Sequence, residues 1–112
     1  MKTSYFAKVK KLYGANLVSI AGKTPDGFRG TIYSKLAPKY EWWKEWKDNH
    51  LDEEWYREKY YTTVLDKLDP HKIYQQLGED AILCCYEKSG DFCHRHIVAE
   101  WFKKYGYDVE EL

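Results

Sequence analysis

The sequence predicts one α/β domain built on a small parallel sheet, and three observations carry that expectation. Strand candidates at residues 2–6, 16–21, 81–86 and 107–110, the third a continuous apolar run, alternate with segments of helical periodicity. Two helix ends stop at a glycine and lead into a strand: Lys10-Lys11-Leu12-Tyr13-Gly14 before Asn16, and Lys103-Lys104-Tyr105-Gly106 before Tyr107. The chain of 112 residues is long enough for one core and too short for two. The order is then β-α-β, a helical insert, and β-α-β. It implies about four parallel strands flanked by helices, a doubly wound, Rossmann-like three-layer sandwich over residues 1–112. Right-handed crossovers and a strand order of 2-1-3-4 would set the first and third strands side by side. Ligands of such sheets bind beyond the carboxyl ends of the strands.

Residues 2–6 (KTSYF) open the sheet, with Ser4 and Tyr5 near the strand's carboxyl end. Residues 7–12 read as a short helix closed by Tyr13-Gly14, and residues 16–21 (NLVSIA) as the second strand. Residues 22–30 hold three glycines and a proline, which marks a true loop. A loop of that length in a small domain is usually functional or mobile, and Lys23, Thr24 and Arg29 could reach an anion from it. The competing reading is a polar surface connection.

The middle of the chain is aromatic. Residues 33–36 make one helical turn, and Pro38 suits the start of a helix carrying Tyr40, Trp42, Trp43 and Trp46. Residues 51–69 continue as a longer helix with Asp52 as its N-cap; Pro70 opens another that Gly78 ends. At helical spacing these rings read as core and interhelical packing rather than a base-stacking platform. Trp42, Trp43 and Trp46 are the exceptions if they overhang a site. His50 and His71 sit beside helix boundaries, where surface or capping roles are the default.

Residues 80–106 hold the chemistry. A buried strand (AILCCY) runs through a polar loop, Glu87 to Asp91, into a helix whose apolar stripe is Ile97, Val98, Trp101, Phe102 and Tyr105. Asp91 as N-cap would put Cys93 and His94 in the first turn, where unpartnered backbone N–H groups favour anions and thiolates. Cys93 then reads as a nucleophile, His94 and Glu87 as acid/base groups, and Arg95 as a bidentate anion clamp. Only three arginines occur among eighteen basic residues, which makes Arg95 and Arg29 informative. The bland alternative has Cys85 and Cys93 as small buried hydrophobes, with His94 and Arg95 tying the loop down.

Eighteen acidic residues balance the eighteen basic ones, so no net charge draws the chain to nucleic acid or an anionic membrane. No apolar run approaches a membrane span or a signal-peptide core. Three cysteines, two of them adjacent, suggest reduced thiols in a cytoplasm rather than a disulfide framework. A phosphatase or rhodanese loop needs Cys and Arg about five or six residues apart; Cys85 is too far from Arg95 and Cys93 too near. A zinc site could recruit Cys85, Cys93, His94 or His96, yet no C-x-x-C pair or helical H-x-x-x-H supports it. Neither a metal nor a cofactor is therefore expected, and Walker, GxGxxG and GxSxG motifs are absent.

The run LCCYEKSGDFCHRHIVAEWF resembles the C-terminal motif of the DUF488 family, small proteins of bacteria, archaea and phages. The resemblance extends to SYFAKVKKL, VSIAGKTPDGFRG and KLAPKYEWWKEWK, and so covers nearly the whole chain. It implies a small α/β sandwich. Many longer members carry an Asp-Val-Arg element after the second strand. Here Ser19 to Lys23 stand in that place, so no role of that Asp and Arg transfers.

The expected function is binding of a small anionic, nucleotide-like ligand by Ser4, Tyr5, Gly22, Lys23, Arg29, Lys88 and Arg95. The first alternative is an enzyme using Cys93, His94 and Glu87 on a phosphorylated or nucleotide-derived substrate, with Arg95 as the clamp. The second is a phage-encoded interaction protein that sequesters a host signal or factor.

Overall fold

A computed structural model describes residues 1–88 and 90–112. Ser89, which the sequence places in the polar loop, lies outside the described residues. The strands are β1 (Lys2–Tyr5), β2 (Leu17–Ser19), β3 (Thr31–Ile32), β4 (Ile82–Cys85) and β5 (Glu110–Glu111), all parallel, in the order β3-β2-β4-β1-β5. The helices are α1 (Phe6–Val9), α2 (Tyr40–Asp48), α3 (Glu53–Thr63), α4 (Pro70–Leu77) and α5 (His94–Lys104).

The parallel α/β class holds, and the first and third expected strands do pair, Ser4 against Cys84 and Tyr5 against Cys85. Two details differ. The expected order 2-1-3-4 is wrong, because β4 lies between β2 and β1. Its run Ile-Leu-Cys-Cys is the most apolar strand, and a strand covered on both faces gains most from the middle of a parallel sheet. A fifth strand, β3, also forms between the expected loop and helical turn, where the sequence reading assigns no element. Thr31 and Ile32 are both exposed, so no alternation announces them. Gly30 lets this segment close on β2: a Cβ there would sit 2.1 Å from the carbonyl oxygen of Leu17.

Alternation along the strands divides the core. Val18, Ile20 and Leu83 join Tyr56, Tyr60, Ile73, Leu77, Ile97 and Val98 in the larger cluster. Leu17 and Cys84 join Phe6 and Val9, with Phe28 packed alongside, in the smaller one. The helical insert and α5 thus cover one face, while α1 and the long loop cover the other.

Several boundaries fall where local chemistry put them. Asp52 caps α3 by accepting from the Trp55 N–H at 2.8 Å, Pro70 opens α4, and Gly78 and Gly106 follow helices with φ of 97° and 90°. β5 comes later than residues 107–110 suggest. Tyr107 stacks on Tyr74 at 4.0 Å, and its hydroxyl lies 2.7 Å from His71 Nδ1, which holds it among side chains rather than in the ladder. His71 is therefore a partner of Tyr107 and not an isolated surface group.

Candidate functional site

Beyond the carboxyl ends of β2 and β4 lies a crevice of about 250 Å³. Buried Cys85, Cys93 and His94 form its floor, together with Ala21. Trp43, Trp46, Tyr56 and Phe92 line it, along with Ala37 and Pro38. Gly22, Lys23, Tyr40, Tyr86 and Glu87 line it from exposed positions. The aromatic lining is itself interlocked, with Tyr56 edge-on to Trp46 at 4.9 Å and to Phe92 at 4.9 Å. Trp46 is fixed further by its indole N–H, which donates to the Asp52 carbonyl at 3.0 Å.

The floor is assembled by the β4–α5 connection. Cys85 ends β4, and Cys93 is the N-cap of α5, so Asp91 is not the cap that its residue type suggests. Phe92 decides this. It packs on Trp46 and Tyr56, which draws the chain out extended through Cys93 (φ −154°, ψ 145°) before the helix starts. Cys93 therefore stands one position outside the helix and His94 is its first residue. The sulfurs of Cys85 and Cys93 are joined in a disulfide, which leaves Cys84 as the free cysteine. The expectation of three reduced thiols is corrected by the fold, since strand end and helix start converge across an eight-residue separation. Burial pushes the Cys84 thiol up to about 11.

His94 is anchored through its ring. Nε2 lies 2.6 Å from the Ile20 carbonyl, which can only accept, so Nε2 carries the proton. Nδ1 is left with a lone pair 3.7 Å from Cys93 Sγ. Burial pushes this imidazole down to about 4, with Arg95 and His96 acting in the same direction. His94 is thus neutral near pH 7 and can accept a proton or a cation at Nδ1.

A bidentate anion clamp needs an exposed, open fork, and Arg95 has neither. It is fully buried. Its Nε and Nη2 donate to the Glu111 carboxylate at 3.1 and 2.8 Å, and Nη1 donates to the Glu87 carbonyl at 2.7 Å and lies 3.0 Å from Cys85 Sγ. Its fork is filled from within the protein, as the loop-tying alternative requires.

The remaining expected residues divide. Gly22, Lys23, Glu87, Cys93 and His94 meet at the crevice. Ser4 is buried in β1, where its hydroxyl oxygen has no hydrogen-bond partner among the described residues, and Tyr5 presents its ring to Arg95 at 5.9 Å. Arg29 lies over the Tyr13 ring at 5.0 Å, Thr24 hydrogen-bonds Ser19, and Lys88 is exposed outside the crevice lining. His96 lines a separate hollow with Thr3 and Glu111. Cys85 and Phe92 are the residues that sequence reasoning undervalued. Their signal was present: Cys85 lies in the apolar run, and Phe92 is a large apolar residue directly after the polar stretch from Glu87 to Asp91.

Two outcomes follow from these contacts. Arg95→Lys removes the fork that joins Glu111, Glu87 and Cys85, and should lower stability by roughly 3 kcal/mol, the lower end for a broken buried pair because Glu111 is partly solvated. Thermal or urea melts will read this, and an unchanged midpoint would show that Arg95 is no strut. The second outcome concerns acid. The folded value of His94 is about 4 against 6.5 for the free group, so the unfolded chain takes up this proton first as pH falls. Stability from the neutral ring is complete above pH 6.5 and is lost toward pH 4, about 3 kcal/mol in all. Half-buried His96, also pushed down by burial, adds to the same loss. With a chelator present, His94→Gln should flatten the dependence of the melting temperature between these limits; an identical slope would refute the assignment.

Among the described residues, no helix is long and apolar enough to cross a membrane. No curated protein matches the chain, and no solved structure does. A family model described as the active DUF488-N3 subclade matches residues 15–106, which takes in the crevice, its aromatic lining and the floor. The chain therefore belongs to the DUF488 family.

Proposed function

We propose that the chain binds a compact, ring-bearing small molecule in this crevice, with the ring against the aromatic lining and a polar or anionic end toward Lys23. The observation that carries the reading is the lining: Trp43, Trp46, Tyr56 and Phe92 converge beyond the strand ends on buried polar groups. Ligand sites combine apolar walls with a few convergent polar groups in this way. A volume of about 250 Å³ is small beside the usual range of roughly 300–1,000 Å³, which favours a single base or similar ring over a dinucleotide. A nucleotide-like ligand would leave its phosphate near Lys23, because Arg95 is committed inside the protein.

Tryptophan fluorescence during titration with nucleoside monophosphates, and with inorganic phosphate as control, tests this. Phe92→Ala should weaken nucleotide binding roughly five- to a hundredfold, the worth of one stacking face. Ala37→Trp should abolish it by filling the crevice. Equal responses to phosphate alone, or binding that survives Ala37→Trp, would sink the reading.

One observation favours chemistry at the floor and moves the enzyme reading from Cys93 to Cys85. The guanidinium of Arg95 approaches Cys85 Sγ at 3.0 Å, and a neighbouring cation lowers a thiol's pKa. In protein reduced and freed of metal, Cys85 should react with iodoacetamide at lower pH than Cys93 or buried Cys84. Peptide mapping of the adducts identifies the site, and preferential labelling of Cys93 would return the nucleophile to the helix cap.

A further inference from the structure

We propose that Cys85, Cys93 and His94 form a three-ligand centre for a divalent metal ion of the zinc type, with its open position facing the crevice. The two Sγ atoms and one histidine ring nitrogen all lie within 4.8 Å of one another, and all three residues are buried. Sequence spacing hides this set, because one ligand ends a strand and the other two begin a helix. Two thiolates and an imidazole are the donors that borderline-soft Zn²⁺ takes.

The geometry around each donor agrees. Zn–S bonds of about 2.3 Å and Zn–N bonds of about 2.0 Å place tetrahedral ligands roughly 3.5–3.8 Å apart. Cys93 Sγ and His94 Nδ1 are 3.7 Å apart. The Ile20 carbonyl holds the far side of the ring, so that Nδ1 presents its lone pair, the usual outer-shell arrangement of a metal-bound histidine. Arg95 Nη1 supplies the matching outer-shell donor to Cys85 Sγ, and its own charge is met by Glu111. The Cα atoms of Cys85 and Cys93 are 7.4 Å apart, wider than the roughly 4.4–6.8 Å that disulfides usually bridge. Once the sulfurs separate, that spacing leaves room for an ion between them.

Loading balances in two steps. Two equivalents of a small thiol, or one of a dithiol, reduce the Cys85–Cys93 disulfide to two thiols and are themselves oxidised to a disulfide. The two thiols then release two protons as they take up the cation. Because all three ligands line the crevice, the ion's remaining position faces it, as in sites that keep a place for water or substrate. The centre stands on these three side chains alone. Only the identity of its fourth ligand rests on the binding reading above.

The full chain, reduced with a phosphine and loaded with Co²⁺ or Zn²⁺, decides the matter. One equivalent of Zn²⁺ should survive gel filtration, and Co²⁺ should give thiolate charge-transfer absorption with the visible bands of a tetrahedral site. Cys85→Ser, Cys93→Ser and His94→Gln should each weaken retention by more than about a hundredfold, since outer-shell partners alone are worth about ten- to a hundredfold. Cys84→Ser should retain the metal. Should the ligand variants fail to fold, alkylation of the unaltered chain still tests the centre, because Zn²⁺ should protect Cys85 and Cys93. Ala37→Trp closes the crevice without touching a ligand and should load normally, which separates failure of this proposal from failure of the binding reading. Reduced protein that holds no zinc, with Cys85 equally reactive in its presence and absence, would overturn the proposal. Zinc retained equally by the folded ligand variants would do the same.

Discussion

The buried guanidinium of Arg95 is the contact on which the rest of the site depends. Through Glu111 it reaches β5, and the same carboxylate accepts the Thr3 hydroxyl of β1 at 2.6 Å. Through Nη1 it holds the carbonyl of Glu87 and approaches the sulfur of Cys85, at the point where β4 gives way to the loop. One side chain at the start of α5 therefore gathers β1, β4 and β5. A buried charge is tolerable only when its hydrogen bonds are made, and each nitrogen of this guanidinium has at least one partner. The loop from β4 to α5 is consequently held at both ends, Glu87 by Arg95 and Phe92 by the aromatic lining. That restraint is what lets three reactive groups share one floor.

Spending the arginine on the fold changes what the crevice can recognise. The cation that a sequence reading assigns to the ligand is neutralised by Glu111, and the adjacent imidazole is held uncharged by burial. What faces the crevice is mostly aromatic surface over two sulfurs and one ring nitrogen. Such a surface selects by shape and stacking before it selects by charge. On the proposed readings, activation at the floor would come from the hydrogen bond that Arg95 Nη1 donates to the Cys85 sulfur, or from a cation bound by the floor. Both proposed routes include Cys85, at the end of β4.

The sequence was most legible where one residue's local chemistry decides the structure. Asp52, Pro70, Gly78 and Gly106 mark helix ends through capping, a fixed φ, or left-handed freedom, and none of these needs distant information. The strand candidates likewise matched β1, β2 and β4, and the topology put Gly22, Lys23, Glu87, Cys93 and His94 around one crevice. What escaped was decided by tertiary packing. Asp91 is a better cap by type than Cys93, but Phe92 gains more by entering the aromatic cluster than the helix gains from a side-chain cap. Arg95 looks like an anion clamp because its partner, Glu111, lies sixteen residues away in a strand with no apolar pattern. The sheet order escaped for the same reason, since only burial on both faces distinguishes a central strand.

The fold also divides labour within the site in a way the chain order explains. The β4–α5 connection supplies the groups capable of chemistry: Cys85, Cys93, His94, and Glu87 beside them. The insert between β3 and β4 supplies most of the aromatic lining through Trp43, Trp46 and Tyr56. Phe92 and His94 belong to both, since each sits on the reactive segment and packs on rings of the insert. The insert's helices are braced internally, with Tyr60 donating to the Leu36 carbonyl at 2.7 Å and the Trp42 indole to Thr63 at 2.9 Å, and they also pack on α5 through Tyr60 on His94, Tyr74 on Phe102 and the Arg57–Glu100 ion pair. The insert's rings are therefore coupled to the helix start as well as to the crevice. On the proposed reading, Phe92 and His94 are the points at which a change in the aromatic lining would be felt at the floor.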